Sequence, residues 1–580
     1  MLLNLVVRVV DSICVALGRS FVLVLLCVWL VSTALFTGAV PDIHAGFLFS
    51  LSLLPSLALS LVLLVQCKDY RDRRKAVQSN ARLPPRILDR SIGGLDTVLA
   101  IRNNFERGYF GDHLALWSNM YGPVVNIRIL FENRIFTTEP EHIKSMLTTD
   151  FMAFEKGTRL RGQFQSLFGT GIFNVDGDMW KFHRGLCRRF LTKERISDFR
   201  IYTHYADRAV DVLFARVQSG YAVDFQDFAS RYTLDCTANF LFGYDINALS
   251  DSLPYPWASG VNVSSKSQSE LFLEGFAAGS FQTSIRIRYG PFWPMFELGG
   301  DKVKQSLSPV YHFMEPIVRK ALDRKRIRSM EGKVADRTLL DYMVEQSEDV
   351  QTLLDWTVTM LIAGRDANTC LLTSTIYALT QNPSIVARLR HEISESLGTQ
   401  VPTVKDLRAL KYLHAVLCES LRLWPPIPIN FRTSTQDVLW APVSPDPRPF
   451  HIPAGTECAF SVFLMQRRTD LWGPDAADYD PDRFLDERYH KYLVPNPYIF
   501  LPFIAGPRMC MGSQVAYDEA AFFLVRLFQT FSEIALDSDA TPPDFMPPWN
   551  DREKVWLDSH LSLHFKGGVW VRMASDRSAM

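Results

Sequence analysis

The stretch FIAGPRMCMG, residues 503–512, decides how this chain is read. A single cysteine, Cys510, stands among two glycines, a proline and an arginine, directly before GSQVAYDEAAFFLVRLFQTF, which reads as a helix. A loop that presents a thiolate to a metal needs backbone N–H groups aimed at the sulfur and close packing around it. Gly506 and Gly512 permit conformations and approaches that a Cβ would block. Arg508 is a fixed cation suited to a carboxylate, and Phe503 can shield the sulfur. The start of the following helix favours negative charge on Cys510. One cysteine in one turn would ordinarily be core; the full spacing Phe-x-x-Gly-x-Arg-x-Cys-x-Gly sets this one apart.

The other eight cysteines are scattered, with no Cys-x-x-Cys pair, which argues against a zinc site or a secreted disulfide framework. Lys+Arg and Asp+Glu both total 62 in 580 residues, so the basic excess of a nucleic-acid binder is missing. With 47% hydrophobic and 21% charged residues the composition is that of an ordered globular protein.

The N-terminus differs in kind. Residues 21–40 and 45–65 carry no charge, and each is close to the ~20 residues needed to cross a bilayer core. Lys68, Arg71, Arg73, Arg74, Lys75, Arg82 and Arg86 follow, a flank that stays cytosolic by the positive-inside rule. Residues 1–66 are therefore expected to be a membrane anchor, with both stretches spanning or one lying in the interface. A basic juxtamembrane linker over 67–83 would lead into a catalytic domain over 84–580. In that domain residues 124–140 alternate as two strands, and helical patterns dominate to about 425. AGTECAFSVFLMQ has strand character, and SHLSLHFKGGVWVRM reads as a hairpin turning at Gly567-Gly568. The fold class is α+β, mainly α-helical.

The Cys510 loop resembles the haem-binding loop of the cytochrome P-450 family, and other stretches match that family in order. GDMWKFHRGLCRRF is similar to its Trp-x-x-x-Arg helix, with Trp180 and Arg184 on one face. LCESLRLWPP and YDPDRF place Glu419, Arg422 and Arg483 where the family builds a buried Glu-Arg-Arg network, and IPINFR places Arg432 at a propionate-binding position. The resemblance implies the cytochrome P-450 fold with small β-sheets, haem b as cofactor and Cys510 as the iron ligand. It also implies electrons from an NADPH-cytochrome reductase, with cytochrome b5 as a second donor, and a place in the endoplasmic reticulum membrane with the catalytic domain in the cytosol. Lys181, Arg188 and Arg189 are expected on the reductase-docking face, where the alternative is a plain solvated helix face.

LIAGRDANTC corresponds to the family's oxygen-activating helix. Ala363 and Gly364 would leave room for dioxygen, and Asp366 is the acid that feeds protons inward. The expected threonine is replaced by Ala367. Asn368 and Thr369 follow, but each residue turns by about 100° on a helix, so neither takes that position. Two readings stay open: a monooxygenase with a different proton supply, or a haem-thiolate isomerase, dehydratase or peroxide-using enzyme that does not activate dioxygen. Within the family, SVFLMQRRTDLWGPDA and PNPYIFLPFIAGPRMC resemble the fungal branch that hydroxylates alkanes and fatty acids. The expected substrate is hydrophobic: a long-chain alkane, a fatty acid or a terpenoid. Phe151, Phe154, Phe164, Leu167, Phe168, Phe272, Phe276, Phe281, Ile427, Ile429 and Phe431 are its candidate walls, about half of them plain core.

Overall fold

The computed structural model describes residues 62–88, 91–129, 131–196, 198–261, 266–331, 337–549 and 552–575. The apolar stretches expected in the membrane lie outside the described residues except for 62–65. Among the described residues no helix is long and apolar enough to cross a membrane. The basic stretch 67–83 is helical as far as residue 78. It is fastened to the domain by Asp69–Arg128 at 2.6 Å and Lys75–Asp437 at 2.9 Å. Beyond it Arg82 bridges to Phe450 and Arg86 to Asn126, so the prolines at 84 and 85 carry an extended strap along the sheets.

Helices make most of the fold. Those that position the site are α1 (Gly177–Phe190), α2 (Phe225–Phe242), α3 (Gln268–Tyr289), α4 (Val350–Gln381), α5 (Lys411–Leu423) and α6 (Ser513–Thr530). With 32 residues, α4 spans about 48 Å. Asp349 caps its start by accepting from the Thr352 N–H at 2.8 Å. The helix is apolar nearly all round because it is packed on nearly all sides. It lies against α2 at Gly364, where a Cβ would come within 2.5 Å of the Thr237 side chain. The aromatic and aliphatic side chains of α2, α4, α5 and α6 merge into one core around Phe228, Tyr232, Leu372, Leu417 and Phe523.

The expected strands at 124–140 form an antiparallel pair, β1 (Val124–Ile129) and β2 (Glu132–Thr137), with Val124 opposite Thr137. With β3 (Phe154–Glu155), β4 (Ile429–Ser434) and β5 (Glu457–Ser461) they make a five-stranded sheet in the order β1-β2-β5-β4-β3. Only β2 and β5 run parallel in it, Arg134 pairing with Glu457. The sheet holds Arg432 in fixed register opposite Cys458.

The hairpin expected at Gly567-Gly568 does not form. β6 (Trp556–Ser559) pairs with β7 (Leu563–Lys566) through the turn at 560–562. The strand Trp570–Ala574 belongs to another sheet, paired with 533–536 and 223–224. Both glycines take positive φ, 75° and 82°, and a Cβ on Gly568 would strike the Asp224 carboxylate. They move the chain between sheets.

Candidate active site

The Cys510 loop follows a 3-10 turn, Gly506–Arg508, and is closed by the Cys510 N–H donating to the Phe503 carbonyl at 3.1 Å. Gly506 sits at φ 69°, where a Cβ would run into the Leu147 carbonyl. Ile504 also lies at positive φ, 51°, a region β-branched residues rarely enter. Gly512 has an ordinary φ of −90°, and its missing Cβ would point at the Cys510 sulfur from 4.0 Å. Its smallness therefore keeps space around the sulfur and relieves no backbone strain. Phe503 packs its ring on Tyr517 at 5.3 Å and borders the same cavity.

That cavity is about 610 Å³, and Cys510 faces it. The surrounding protein raises the thiol pKa by burial, while the Gly512 N–H and the Arg184 cation pull it back down. Such a sulfur holds a charge firmly only when a metal takes it as ligand.

One wall carries an excess of cations. Lys156, Arg184, Arg432 and Arg508 all line the cavity with Trp180. Arg508 pairs with Asp176, the two side chains 8% and 7% exposed, and its guanidinium lies 4.8 Å over the Trp180 ring. Its Nε is buried without a partner among the described residues. Among the described residues Arg432 donates its side chain only to the neighbouring Phe431 carbonyl, at 2.6 Å. Burial and then Arg508 lower its pKa to about 10. Lys156 donates to the Phe173 carbonyl and is lowered further by burial, Arg432 and Arg508. Arg184 reaches the Met509 carbonyl at 3.0 Å and so braces the loop itself. Lys156, Arg432 and Arg508 lean on Asp176, which Arg161 also approaches at 3.4 Å, with Glu155 near Arg508; the excess of cations calls for further anions at this wall. A haem, which brings two propionates and an iron that takes a thiolate, would answer both needs, so the residues present fit it. Lys156 and Asp176 were not marked in the sequence. Asp176 had a signal, since it directly precedes the Trp180 helix; Lys156 had none.

The opposite wall is α4, with Ala363, Gly364, Asp366, Ala367 and Asn368 on the cavity. The space freed by Gly364 is filled by Thr237, so its role is helix packing as much as opening the cavity. Asp366 accepts from Arg365 at 2.7 Å, and burial outweighs that partner to raise its pKa. Asn368 is turned to the Glu519 carboxylate of α6, donating at 2.6 Å. Thr369 is taken by the Thr233 hydroxyl at 2.8 Å. Glu519 is 3% exposed, and burial pushes its pKa up to about 8. Its presence on a strongly apolar helix was the available signal for a functional acid.

Behind the loop, Arg422 grips Glu419 with two bonds of 2.7 Å and also donates to the carbonyls of Gln466, Ala476 and Asp478. Arg483 approaches Glu419 at 3.4 Å. All three side chains are 0–1% exposed.

Phe164, Phe168, Ile427, Ile429 and Phe431 line the cavity. Phe154, Leu167, Phe272 and Phe276 are core instead, each 5% exposed or less. Phe151 stands against Trp180 at 5.9 Å and Phe281 against His560 at 5.0 Å, one shell behind the walls. Lys181, Arg188 and Arg189 are exposed on α1, with Lys181 paired to Asp178.

The chain matches the family model described as Cytochrome P450 over residues 99–557. It is 32% identical over 448 residues to cytochrome P450 52E1 of Candida apicola, covering 76% of this chain and 82% of that protein. It is 30% identical over 509 residues to cytochrome P450 52A5 of Candida maltosa, covering 80% and 89%. It is 29% identical over 500 residues to the cytochrome P450 monooxygenase fsdH of Fusarium heterosporum, covering 84% and 81%.

Proposed function

This chain belongs to the cytochrome P450 family of oxidoreductases, and from that premise we propose that it is a membrane-anchored haem-thiolate monooxygenase. The substrate is hydrophobic: a long-chain alkane, a fatty acid or a terpenoid. The reaction is R–H + O2 + NADPH + H+ → R–OH + H2O + NADP+. An NADPH-cytochrome reductase passes the electrons, with cytochrome b5 as a second donor. The two charge-free stretches at 21–40 and 45–65 anchor the chain in the endoplasmic reticulum membrane, with residues 84–580 as the catalytic domain in the cytosol. The observation that carries the reading is the Cys510 sulfur facing a cavity whose flank holds unbalanced cations.

Haem b supplies the redox iron that activates dioxygen, chemistry no side chain provides. Cys510 would hold its iron, the Gly512 N–H and Arg184 favouring the charged sulfur. Arg432, Arg508 and Lys156, with Trp180 beneath Arg508, would hold its carboxylates. Glu419, Arg422 and Arg483 keep the segments around 466–483 in place behind the loop. On α4, Asp366 stands at the edge of the cavity, tethered by Arg365, as the group that would pass a proton inward. Ala367 has no hydroxyl to pass that proton on, and Asn368 is committed to Glu519. The apolar walls exclude water and orient the substrate. Ala367 is also the one observation that favours the second reading, an isomerase, dehydratase or peroxide-using enzyme.

The test is spectral and catalytic together. The reduced holoprotein with carbon monoxide should show the red-shifted Soret band of a thiolate-bound haem, and Cys510→Ser should remove it. Lipid-dependent NADPH oxidation that requires reductase supports the monooxygenase; turnover without NADPH or reductase replaces it with the second reading.

A further inference from the structure

The cavity has another polar wall, built by elements that do not carry Cys510. Arg288 near the end of α3, Asp558 of β6 and His560 of the following turn all line it. Asp558 faces His564 across the β6–β7 pair, and Lys566 lies 3.3 Å from the Asp558 carboxylate. The rings of His560 and His564 are 3.9 Å apart. Arg288 donates to the Ser559 carbonyl at 2.8 Å and lies 3.7 Å over the Phe105 ring. Among the described residues no carboxylate comes within ion-pair distance of Arg288; Asp558, the nearest, is paired with Lys566.

The charges do not balance. Burial, the neighbouring imidazole and nearby cations keep His560 neutral, at about 3, and burial and the cations keep His564 neutral, at about 4. Two cations therefore face one carboxylate. Donor atoms of Asp558, His560 and His564 lie within 4.8 Å of one another, a spacing that would suit a divalent ion. Such an ion would sit beside Lys566 and Arg288 and be repelled by both. An anion meets the opposite situation: a guanidinium fork and imidazole N–H groups in a site largely withdrawn from water. The His564 Nδ1 atom is buried with no hydrogen-bond partner among the described residues. The cavity that this wall shares with Cys510 is lined largely by apolar side chains, including Phe164, Phe168, Ile287 and Phe431.

We propose that Arg288, assisted by His560 with the His564 ring packed behind it, holds the carboxylate headgroup of a long-chain substrate whose apolar tail extends through the cavity toward Cys510. The inference rests on reading this cavity as the substrate chamber of a monooxygenase, and it singles out the acid from the neutral hydrophobes. The C–H bond presented for reaction then lies away from the carboxyl end of the chain.

The holoenzyme is titrated with hexadecanoic acid, its methyl ester and hexadecane, following both heat of binding and the substrate-induced Soret shift. The acid should bind about tenfold or more tighter than the ester, as one or two charge-assisted hydrogen bonds allow. Arg288→Gln should bring the acid-to-ester ratio close to one, and Arg288→Lys should restore part of it. Equal binding of acid and ester by the native protein overturns the subsite and leaves the lipid-monooxygenase reading intact, a result that needs no variant to fold. Binding of none of the three by haem-loaded protein overturns both. Tight stoichiometric zinc binding that His564→Ala abolishes, with no acid preference, assigns the cluster to a cation.

Discussion

Removing Arg422 should damage this protein more than removing Arg483, although both arginines serve the same buried carboxylate. Arg422 supplies two bonds of 2.7 Å to Glu419 and one each to the carbonyls of Gln466, Ala476 and Asp478, at 2.9, 2.6 and 3.0 Å. Arg422→Ala leaves Glu419 charged and buried with only Arg483 at 3.4 Å and the Asp480 N–H at 3.0 Å. Breaking a buried pair in this way costs ~3–5 kcal/mol, and three newly orphaned carbonyls at ~1–3 kcal/mol each push the sum beyond that range. Domains are stable by only ~5–15 kcal/mol, so Arg422→Ala should yield little folded, haem-loaded protein. Arg483→Ala keeps the Glu419–Arg422 pair and loses contacts to the Trp472 and Asp475 carbonyls at 3.1 and 2.8 Å and to the Asp475 carboxylate. With the main buried pair kept and two carbonyls orphaned at ~1–3 kcal/mol each, its cost should stay below that of Arg422→Ala, with reduced but measurable haem content. The assay is haem per protein after matched expression, with the thermal midpoint of whatever folds. Equal loss in the two variants, or a greater loss for Arg483→Ala, would refute the division of labour. Full haem content with altered turnover would move the trio from structure to catalysis.

Ala367→Thr should bring product formed closer to NADPH consumed and lower the hydrogen peroxide released, because a hydroxyl returns beside Asp366; Asp366→Asn should slow turnover in a monooxygenase and matter little in an isomerase. Tight coupling in the native protein would show that another donor already serves. Reversing the charge of Arg188 and Arg189 should slow reduction by the reductase at low salt, an effect that added salt erases, while substrate binding holds; unchanged rates discard this face as the docking site. Glu519 has its carboxyl raised to about 8 from 4.5, so the folded state binds the extra proton between those values and stability should fall by a few kcal/mol as pH rises through that window, levelling above it. Glu519→Gln should flatten that slope, measured as urea midpoints against pH; a slope that persists in the variant belongs to other groups.

Motifs set by local spacing were legible from residue order alone. The turn around Cys510, the Trp180–Arg184 face and the helix at 350–381 could be read because each depends on neighbours a few positions apart. The strands at 124–137 were legible for the same reason: side-chain alternation is a short-range property. What only the tertiary structure decided is which distant residues share a partner. Gly567-Gly568 looks like a hairpin turn by composition, but pairing depends on which strand lies alongside, and the 223–224 and 533–536 strands claim the chain beyond it. Lys156 and Asp176 join the cationic wall because β3 and the start of α1 meet there. Asn368 turned out to be engaged because α6 brings Glu519 to it from 151 residues away. Arg288 and His560, 272 positions apart, meet on one wall through the packing of α3 against the β6–β7 turn. Chemistry within a turn of helix is written in the order of residues. Chemistry between elements follows from burial, which no spacing records.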